Sequence, residues 1–426
     1  MGQDKKVVVL GLDGVSYFLI KELIKIGYMP NLSSIINDKL ISIETVLPEI
    51  SSVSWTTFMT GVNPGEHGIY GFVDLKENSY EYKINSFYDL KYPTLFDGLK
   101  EINKRAIVIN LPATYPARAI PGVLISGFVA VDLKRAIYPN SIYPFLESIK
   151  YKIDVDLPKV KEEPSILFEE VKKTLSTREK VLYHFWKNYE WDLFVFIITV
   201  TDRINHFWFK DFLDSKGEYN QAFKESYKKI DEIIGKLYEL YNGIKEEKEL
   251  FILSDHGFTK IEREVYINNI LKREGFLKLE EGKDSLVYIK EGTKAFALDP
   301  SRIYINLEGK YPKGSVSEKD YRKVIEDIVT LFKDYRIDGK KIIKRVFLKE
   351  EIYHGREIDK APDIILLSEE GFDLKAKIFP DNRLYGNSWL TGMHTYDNAI
   401  FFNDRGRVVK NIIEVKALIE KALKGD

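Results

Sequence analysis

The amino-acid sequence predicts an α/β fold. The expected form is a mixed, mostly parallel central sheet with helices on both faces, with helical and α+β insertions around its functional end. Three observations carry this. Strand-like and helix-like stretches alternate along nearly the whole chain. The runs Val7-Val8-Val9-Leu10-Gly11-Leu12 and Leu193 to Val200 are continuously apolar, as strands covered on both faces are. Several runs also end beside an acidic residue, at the strand termini where open α/β sheets hold their ligands.

Taken in order, Val7 to Leu12 is a central strand closed by Asp13-Gly14. Phe18 to Ile26 reads as a helix stopped near Gly27, and Met29-Pro30-Asn31-Leu32 restarts one through Ile36. Leu40 to Val46 is a strand ended by Pro48, and Ser51 begins a helix to about Thr60. Ser86 to Lys91, with Pro93-Thr94-Leu95-Phe96, opens another helix; Ala106 to Ile109 and Val123 to Ser126 are strands. From Tyr138 to Asn188 the chain is mostly amphipathic helix, interrupted at Ile153-Asp154-Val155-Asp156, and is expected to form part of a cap. Trp191 to Val200 returns to the core. Phe223, Tyr227, Ile230, Ile233, Ile234, Leu237 and Leu240 recur at three and four, so Asn220 to Asn242 is a core-facing helix. It leads to a strand over Glu249 to Ser254. Further expected elements are a helix from Glu318 to Tyr335, strands at Ile342 to Leu348 and Asp363 to Leu367, and a last helix from Val409 to Leu423. No linker forces a domain cut, so residues 1–426 read as a single domain, with insertions near 129–190 and 278–350.

Composition removes several function classes. The 64 Lys plus Arg balance 65 Asp plus Glu, leaving a formal charge of -1 and no global attraction to nucleic-acid polymers or anionic membranes. With no cysteine there are no disulfides, thiolate metal sites, iron–sulfur clusters or cysteine nucleophiles. No apolar stretch approaches eighteen residues and the start does not read as a signal peptide, so a cytoplasmic location is expected. Oligomeric state is not legible.

The chemistry concentrates at strand ends. Asp255-His256-Gly257 follows Phe251-Ile252-Leu253-Ser254. A carboxylate and an imidazole buried there need a partner, and a metal ion satisfies both. Asp13 follows the first strand, Asp202 and His206 follow Leu193 to Val200 one helical turn apart, and His394 lies in Thr391-Gly392-Met393-His394. Each alone has an ordinary structural reading: a surface pair, a turn, a satisfied core histidine. Together they supply three aspartates and three histidines, enough for two adjacent divalent ions. Nitrogen and carboxylate donors suit zinc, with manganese, cobalt or iron as alternatives, and magnesium fits three imidazoles poorly. Ser51 or Ser52, at a helix N-terminus that favours anions, offers a hydroxyl to a bound phosphate; the plain alternative is a helix cap. His67 in Pro64-Gly65-Glu66-His67-Gly68 reads as bracing its loop and His184 as structural.

The ordered set of Leu12-Asp13-Gly14, Met29-Pro30-Asn31-Leu32, Pro48 through Gly61, Pro64-Gly65-Glu66-His67-Gly68-Ile69, Asn110 to Pro116, Ser126-Gly127-Phe128, Ser254-Asp255-His256-Gly257 and Gly392-Met393-His394 resembles the alkaline phosphatase superfamily, in its type I phosphodiesterase/nucleotide pyrophosphatase branch. The resemblance implies an alkaline phosphatase-like fold and two metal ions. By motif, Asp202, His206 and His394 match the ligands of one ion, and Asp13, Asp255 and His256 those of the other. The branch's nucleophilic threonine, three residues after the proline, falls on Ser51, with Ser52 one residue away. An asparagine that helps hold a phosphoryl oxygen in the nucleotide pyrophosphatases is matched by Ser54, and Trp55 stands where histidine is common. Neither serine is followed by the Pro/Arg pattern of sulfatases, and the insert lengths match neither phosphoglycerate mutase nor phosphopentomutase.

The expected function is thus a metal-dependent hydrolase of phosphodiesters or nucleotide pyrophosphates, with Ser51 both at the ions and attacking phosphorus to give a phosphoseryl intermediate. The expected partner is a small phosphorylated molecule, and Phe207 and Trp208 are candidates to stack on its base or sugar. Arg302 and Lys310 are candidate phosphate contacts. A phosphomonoesterase or phosphomutase is the alternative within the superfamily, and a non-catalytic, metal-stabilised binding protein the alternative outside it.

Overall fold

The runs buried on both faces become the middle of an eight-stranded sheet. In the computed structural model, which describes residues 5–425, its strands are β1 (Lys5–Leu12), β2 (Ile41–Ile43), β3 (Ala106–Leu111), β4 (Gly122–Ser126), β5 (Ile137–Tyr138), β6 (Leu193–Ile198), β7 (Glu247–Leu253) and β8 (Ala399–Asn403). Their order is β2-β8-β7-β1-β6-β3-β4-β5. The five inner strands, β7 to β4, are parallel, while β8, β2 and β5 join antiparallel at the two margins. The sheet is mixed and mostly parallel, flanked by helices, as expected. Val7, Val8, Val9, Leu10 and Leu12 of β1 are all fully buried. Each such side chain contributes about 1.5–3 kcal/mol by leaving water.

Two registers place the strand ends that carry the acidic residues. β1 pairs with β6 from Val7↔Leu193 to Leu12↔Ile198, and with β7 from Lys5↔Glu247 to Gly11↔Leu253. Residues just beyond Leu12, Ile198 and Leu253 therefore emerge side by side at one sheet edge.

The chain divides into two units. The first contains the chain up to Val62, Ser86–Thr259 and everything from Leu390 onward. Its core joins sheet residues such as Leu10, Phe194 and Phe196 to the helices Leu167–Asn188 and Asn220–Asn242. The 129–190 segment thus supplies a packed layer of this unit. The second unit, Asn63–Asn85 with Lys260–Trp389, is wider than the expected 278–350 insertion. It holds a four-stranded antiparallel sheet in the order Ala295–Leu298, Arg302–Ile305, Ile364–Ser368, Ile343–Leu348, and its own apolar core.

Three expectations are corrected. The helix expected from Ser86 is only two short 3-10 turns, Phe87–Asp89 and Asp97–Lys100, because Pro93 pushes the residue before it out of helical geometry. The strand expected over Leu40 to Val46 shortens to Ile41–Ile43. The last helix begins at Val415, after a 3-10 turn that Asn411 caps. Among the described residues no helix is long and apolar enough to cross a membrane.

Candidate metal centre

Asp13 leaves β1 and Asp255 leaves β7 at the same edge, and the register brings them together. Gly14 turns the chain there with φ +63°, and a Cβ on it would lie 3.0–3.1 Å from Phe258, Asp202 Oδ1 and the His256 ring. The turn therefore needs glycine on both counts. Asp202 and His206 sit in the helix Val200–Leu213, one turn apart, and Asn205 of that helix donates to the Gly14 carbonyl at 2.7 Å. The short strand starting at Gly257 pairs with Gly392–Thr395, which draws His394 to His256. Their rings stack with centroids 3.7 Å apart.

All six side chains converge, and each is tied at one atom while another faces the cluster. Asp13 Oδ2 accepts from the Trp55 indole at 3.0 Å, Asp255 Oδ1 from the Gly14 amide at 2.9 Å, and Asp202 Oδ2 from Arg203 at 2.8 Å. Asp202 Oδ1 and Asp255 Oδ2 are buried without a hydrogen-bond partner. The histidines follow the same plan. Nδ1 of His206 lies 2.9 Å from the Gly392 carbonyl, that of His394 2.9 Å from Glu49 O, and that of His256 3.0 Å from Gly257 O. A carbonyl only accepts, so each Nδ1 carries a hydrogen and each ring turns its Nε2 inward. Nε2 of His206 and of His394 lie 3.4 and 3.3 Å from Asp202 Oδ1, and 3.0 Å from each other. Nε2 of His256 is 3.3 Å from Asp255 Oδ2 and 3.1 Å from Ser51 Oγ, which is 3.2 Å from Asp13 Oδ1.

Donor atoms from Asp13, Asp255 and His256, and from Asp202, His256 and His394, form two groups, each within 4.8 Å. His256 belongs to both. Charge explains what the groups can hold. Burial, then repulsion from Asp255 and Asp202, pushes the Asp13 carboxyl well up, and burial pushes Asp255 up to about 7. Burial also pushes His206 down to about 4 and His256 well below its ordinary value. Burial opposes charge on His394 too, yet Asp202 and Asp255 pull it up. Burial would raise Asp202, but His206, His394 and Arg203 hold it far below the carboxylate range. Three carboxylates share a buried site with too little positive charge, and the inward-facing Asp202 Oδ1 and Asp255 Oδ2 lack hydrogen-bond partners. Divalent cations supply what is missing, and the donor set suits a borderline metal.

The family model described as type I phosphodiesterase / nucleotide pyrophosphatase matches residues 7–397. The chain belongs to that family. This places it in the alkaline phosphatase superfamily and supports a two-metal phosphoesterase chemistry at the level of the family. No curated protein sequence matches it. Among solved structures, phosphonoacetate hydrolase from Sinorhizobium meliloti 1021 bound to phosphonoacetate is similar, with a TM-score of 0.64 at 15% identity, over 99% of this chain and 96% of that one. Murine ectonucleotide pyrophosphatase / phosphodiesterase 5, in an inactive form bound to AMP, has a TM-score of 0.58 at 13% identity over 99% and 95%. Its human counterpart has 0.58 at 14% over 98% and 95%. At these identities the likeness is one of fold.

Around this phosphodiesterase-family centre, Ser51 is the first residue of the helix Ser51–Thr60. The Val53 and Ser54 amides bond to the Ile50 carbonyl, so those of Ser51 and Ser52 precede the first intrahelical bond. The Ser52 hydroxyl is buried without a partner, while the Ser54 hydroxyl is fully buried against Thr45 at 2.9 Å. The substrate-stacking expectation is corrected. Trp208 is wholly buried, stacked on Tyr219 at 5.1 Å, and Phe207 is only 5% exposed, because the helix turns both into the core. Arg302, in the second unit, is also buried, bonded to Asp74 and to the carbonyls of Val73 and Asp299. Lys310 donates to Asp359 O. Sequence reasoning missed Trp55 and Arg203 as holders of Asp13 and Asp202. Arg203 follows its carboxylate directly in sequence, the one signal that was present.

Proposed function

We propose that this chain hydrolyses phosphodiesters or nucleotide pyrophosphates with Ser51 as nucleophile. Asp202, His206 and His394 would hold one divalent ion, and Asp13, Asp255 and His256 the other, with zinc the better match to the donors. Bound there, the ions supply Lewis acidity, favouring the serine alkoxide and offsetting charge on the phosphoryl oxygens and leaving group. The Ser51 oxygen attacks phosphorus in line, its new O–P bond forming as the bond to the leaving alkoxide or nucleotide breaks. Water then attacks the phosphoseryl phosphorus, releasing the phosphoryl group and regenerating Ser51. The N-terminal amides of the Ser51 helix favour the anionic group being transferred.

One observation carries this reading: a serine hydroxyl lies within 3.2 Å of inward-facing atoms of Asp13 and His256, in a cluster whose every metal-donor side chain is anchored at its other end. A purely structural ion needs no such hydroxyl.

Ser51→Ala should lower kcat by about 10³-fold or more while folding and metal content stay near wild type. If Ser51→Ala keeps most of its activity and Ser52→Ala loses it, the nucleophile is Ser52. The ratio of rates on bis-p-nitrophenyl phosphate and p-nitrophenyl phosphate separates diesterase from monoesterase. Because fold neighbours bind AMP and phosphonoacetate, a nucleotide diester and a phosphonate complete the panel. A monoester preference would replace the diesterase reading with the monoesterase one.

A further inference from the structure

Arg203 is held from three directions. Its Nη1 donates to Asp202 Oδ2 at 2.8 Å, and Nε and Nη2 both donate to Asp154 Oδ2, at 2.9 and 2.7 Å. Its guanidinium lies 4.1 Å from the Phe128 ring centroid. Asp154 is fixed in turn, its Oδ1 accepting the Val155 amide at 2.8 Å. The Ile153–Asp156 interruption, which in sequence only breaks a helical stretch, therefore reaches a metal-ligand carboxylate through one arginine. Asp202 differs from Asp13 and Asp255 in this respect. Those two are held by an indole and a backbone amide, both neutral, whereas Asp202 commits one oxygen to a rigid cation.

We infer that Arg203 is a positioning residue that keeps Asp202 a one-oxygen ligand, and so weights this ion site toward small borderline cations and against larger oxygen-seeking ones. The inference rests on the two-ion reading of the centre. Calcium takes six to eight oxygens and uses both oxygens of a carboxylate readily, whereas zinc is satisfied by four donors including imidazole nitrogen. With Asp202 Oδ2 engaged, the Asp202 site offers one carboxylate oxygen and imidazoles. Releasing that oxygen adds a hard donor and removes a nearby positive charge. Both changes favour calcium relative to zinc. The other site, around Asp13 and Asp255, makes no hydrogen bond to Arg203 and feels only its charge, through Asp13, so its preference changes less.

The test is calorimetric titration of the metal-stripped full chain with Zn²⁺ and, separately, with Ca²⁺. Wild type, Arg203→Met, Arg203→Lys and Asp154→Asn are compared. Arg203→Met should narrow the zinc-over-calcium preference at one site about 10-fold or more, the scale on which such supporting groups alter metal affinity, and move the second site clearly less. Asp154→Asn should move it in the same direction. Arg203→Lys, with the charge but not the fork, should fall between. A preference unchanged at both sites, or reduced equally at both, overturns the inference. If metal-free Arg203→Met does not unfold cooperatively, Asp154→Asn decides alone. A wild-type chain that takes up neither ion overturns the two-ion reading as well, which separates the two failures.

Discussion

Each donor side chain in the centre is polar at two places, and the two places serve different partners. Trp55 is the plainest case, its indole being the donor that holds Asp13 Oδ2. Trp55→Phe would keep the ring's packing and strip that buried oxygen of its donor. The expected cost is about 1–3 kcal/mol, read from the midpoint of denaturant unfolding; an unchanged midpoint would mean that Trp55 does not support Asp13. His67 makes a different residue-scale prediction. It is wholly buried, its Nδ1 accepts the Ile69 amide at 3.2 Å, and burial pushes its pKa down to about 3. Unfolded histidine titrates near 6.5, so between about 3 and 6.5 the unfolded chain binds a proton that the folded chain refuses. His67 therefore contributes stability that is complete above about pH 6.5 and is lost as pH falls. The slope approaches about 1.4 kcal/mol per pH unit. His67→Gln should flatten unfolding free energy against pH between about 4 and 6.5, and an identical slope in both proteins would refute the assignment.

Elements hold one another by the same satisfaction of polar groups. The helix Pro30–Ile36 starts after Met29, whose side chain makes no capping bond. Its first amides are capped from outside: Asp231, on the helix Asn220–Asn242, accepts from the amides of Asn31 and Leu32 at 2.9 and 2.8 Å. Proline at the first position needs no such bond. Asp231→Ala should cost about 1–2 kcal/mol, at the upper end for a lost cap, in thermal or chemical unfolding. Asp231→Asn, which keeps an acceptor, should recover part of it; equal losses in the two variants would rule out capping. At this scale the sequence was readable where periodicity was strong, and the helix Asn220–Asn242 lies where its apolar spacing puts it. It misled where local signals competed, as at Ser86 to Phe96, where turn-forming residues and Pro93 overrode a helical pattern. Phe207 and Trp208 misled for another reason. Aromatic residues beside a candidate ligand histidine look available until the helix's rotation sends them inward.

For the whole molecule, a metal bound only by the folded chain stabilises it by mass action. At a free concentration of about 1,000 times its dissociation constant, each ion adds about 4 kcal/mol. Exhaustive chelation should therefore lower the calorimetric melting temperature by many degrees, and zinc should restore it. A melting temperature indifferent to chelation would show that the carboxylate cluster is satisfied without a cation. The six candidate donors come from four separated parts of the chain, around positions 13, 202–206, 255–256 and 394. No local signal joins them.

By itself the sequence determined the kinds of groups and their addresses: apolar runs that must be buried on both faces, carboxylates and imidazoles where those runs end, and hydroxyls at a helix start. These follow from the side-chain period and the cost of burying polar atoms, both local matters. Only the tertiary structure decided which oxygen of each aspartate is tied and which faces inward, that His256 stands between both donor groups, and that Arg203 and Trp55 brace the cluster. Those facts depend on strand register and helix rotation, and these are settled by packing among residues hundreds of positions apart.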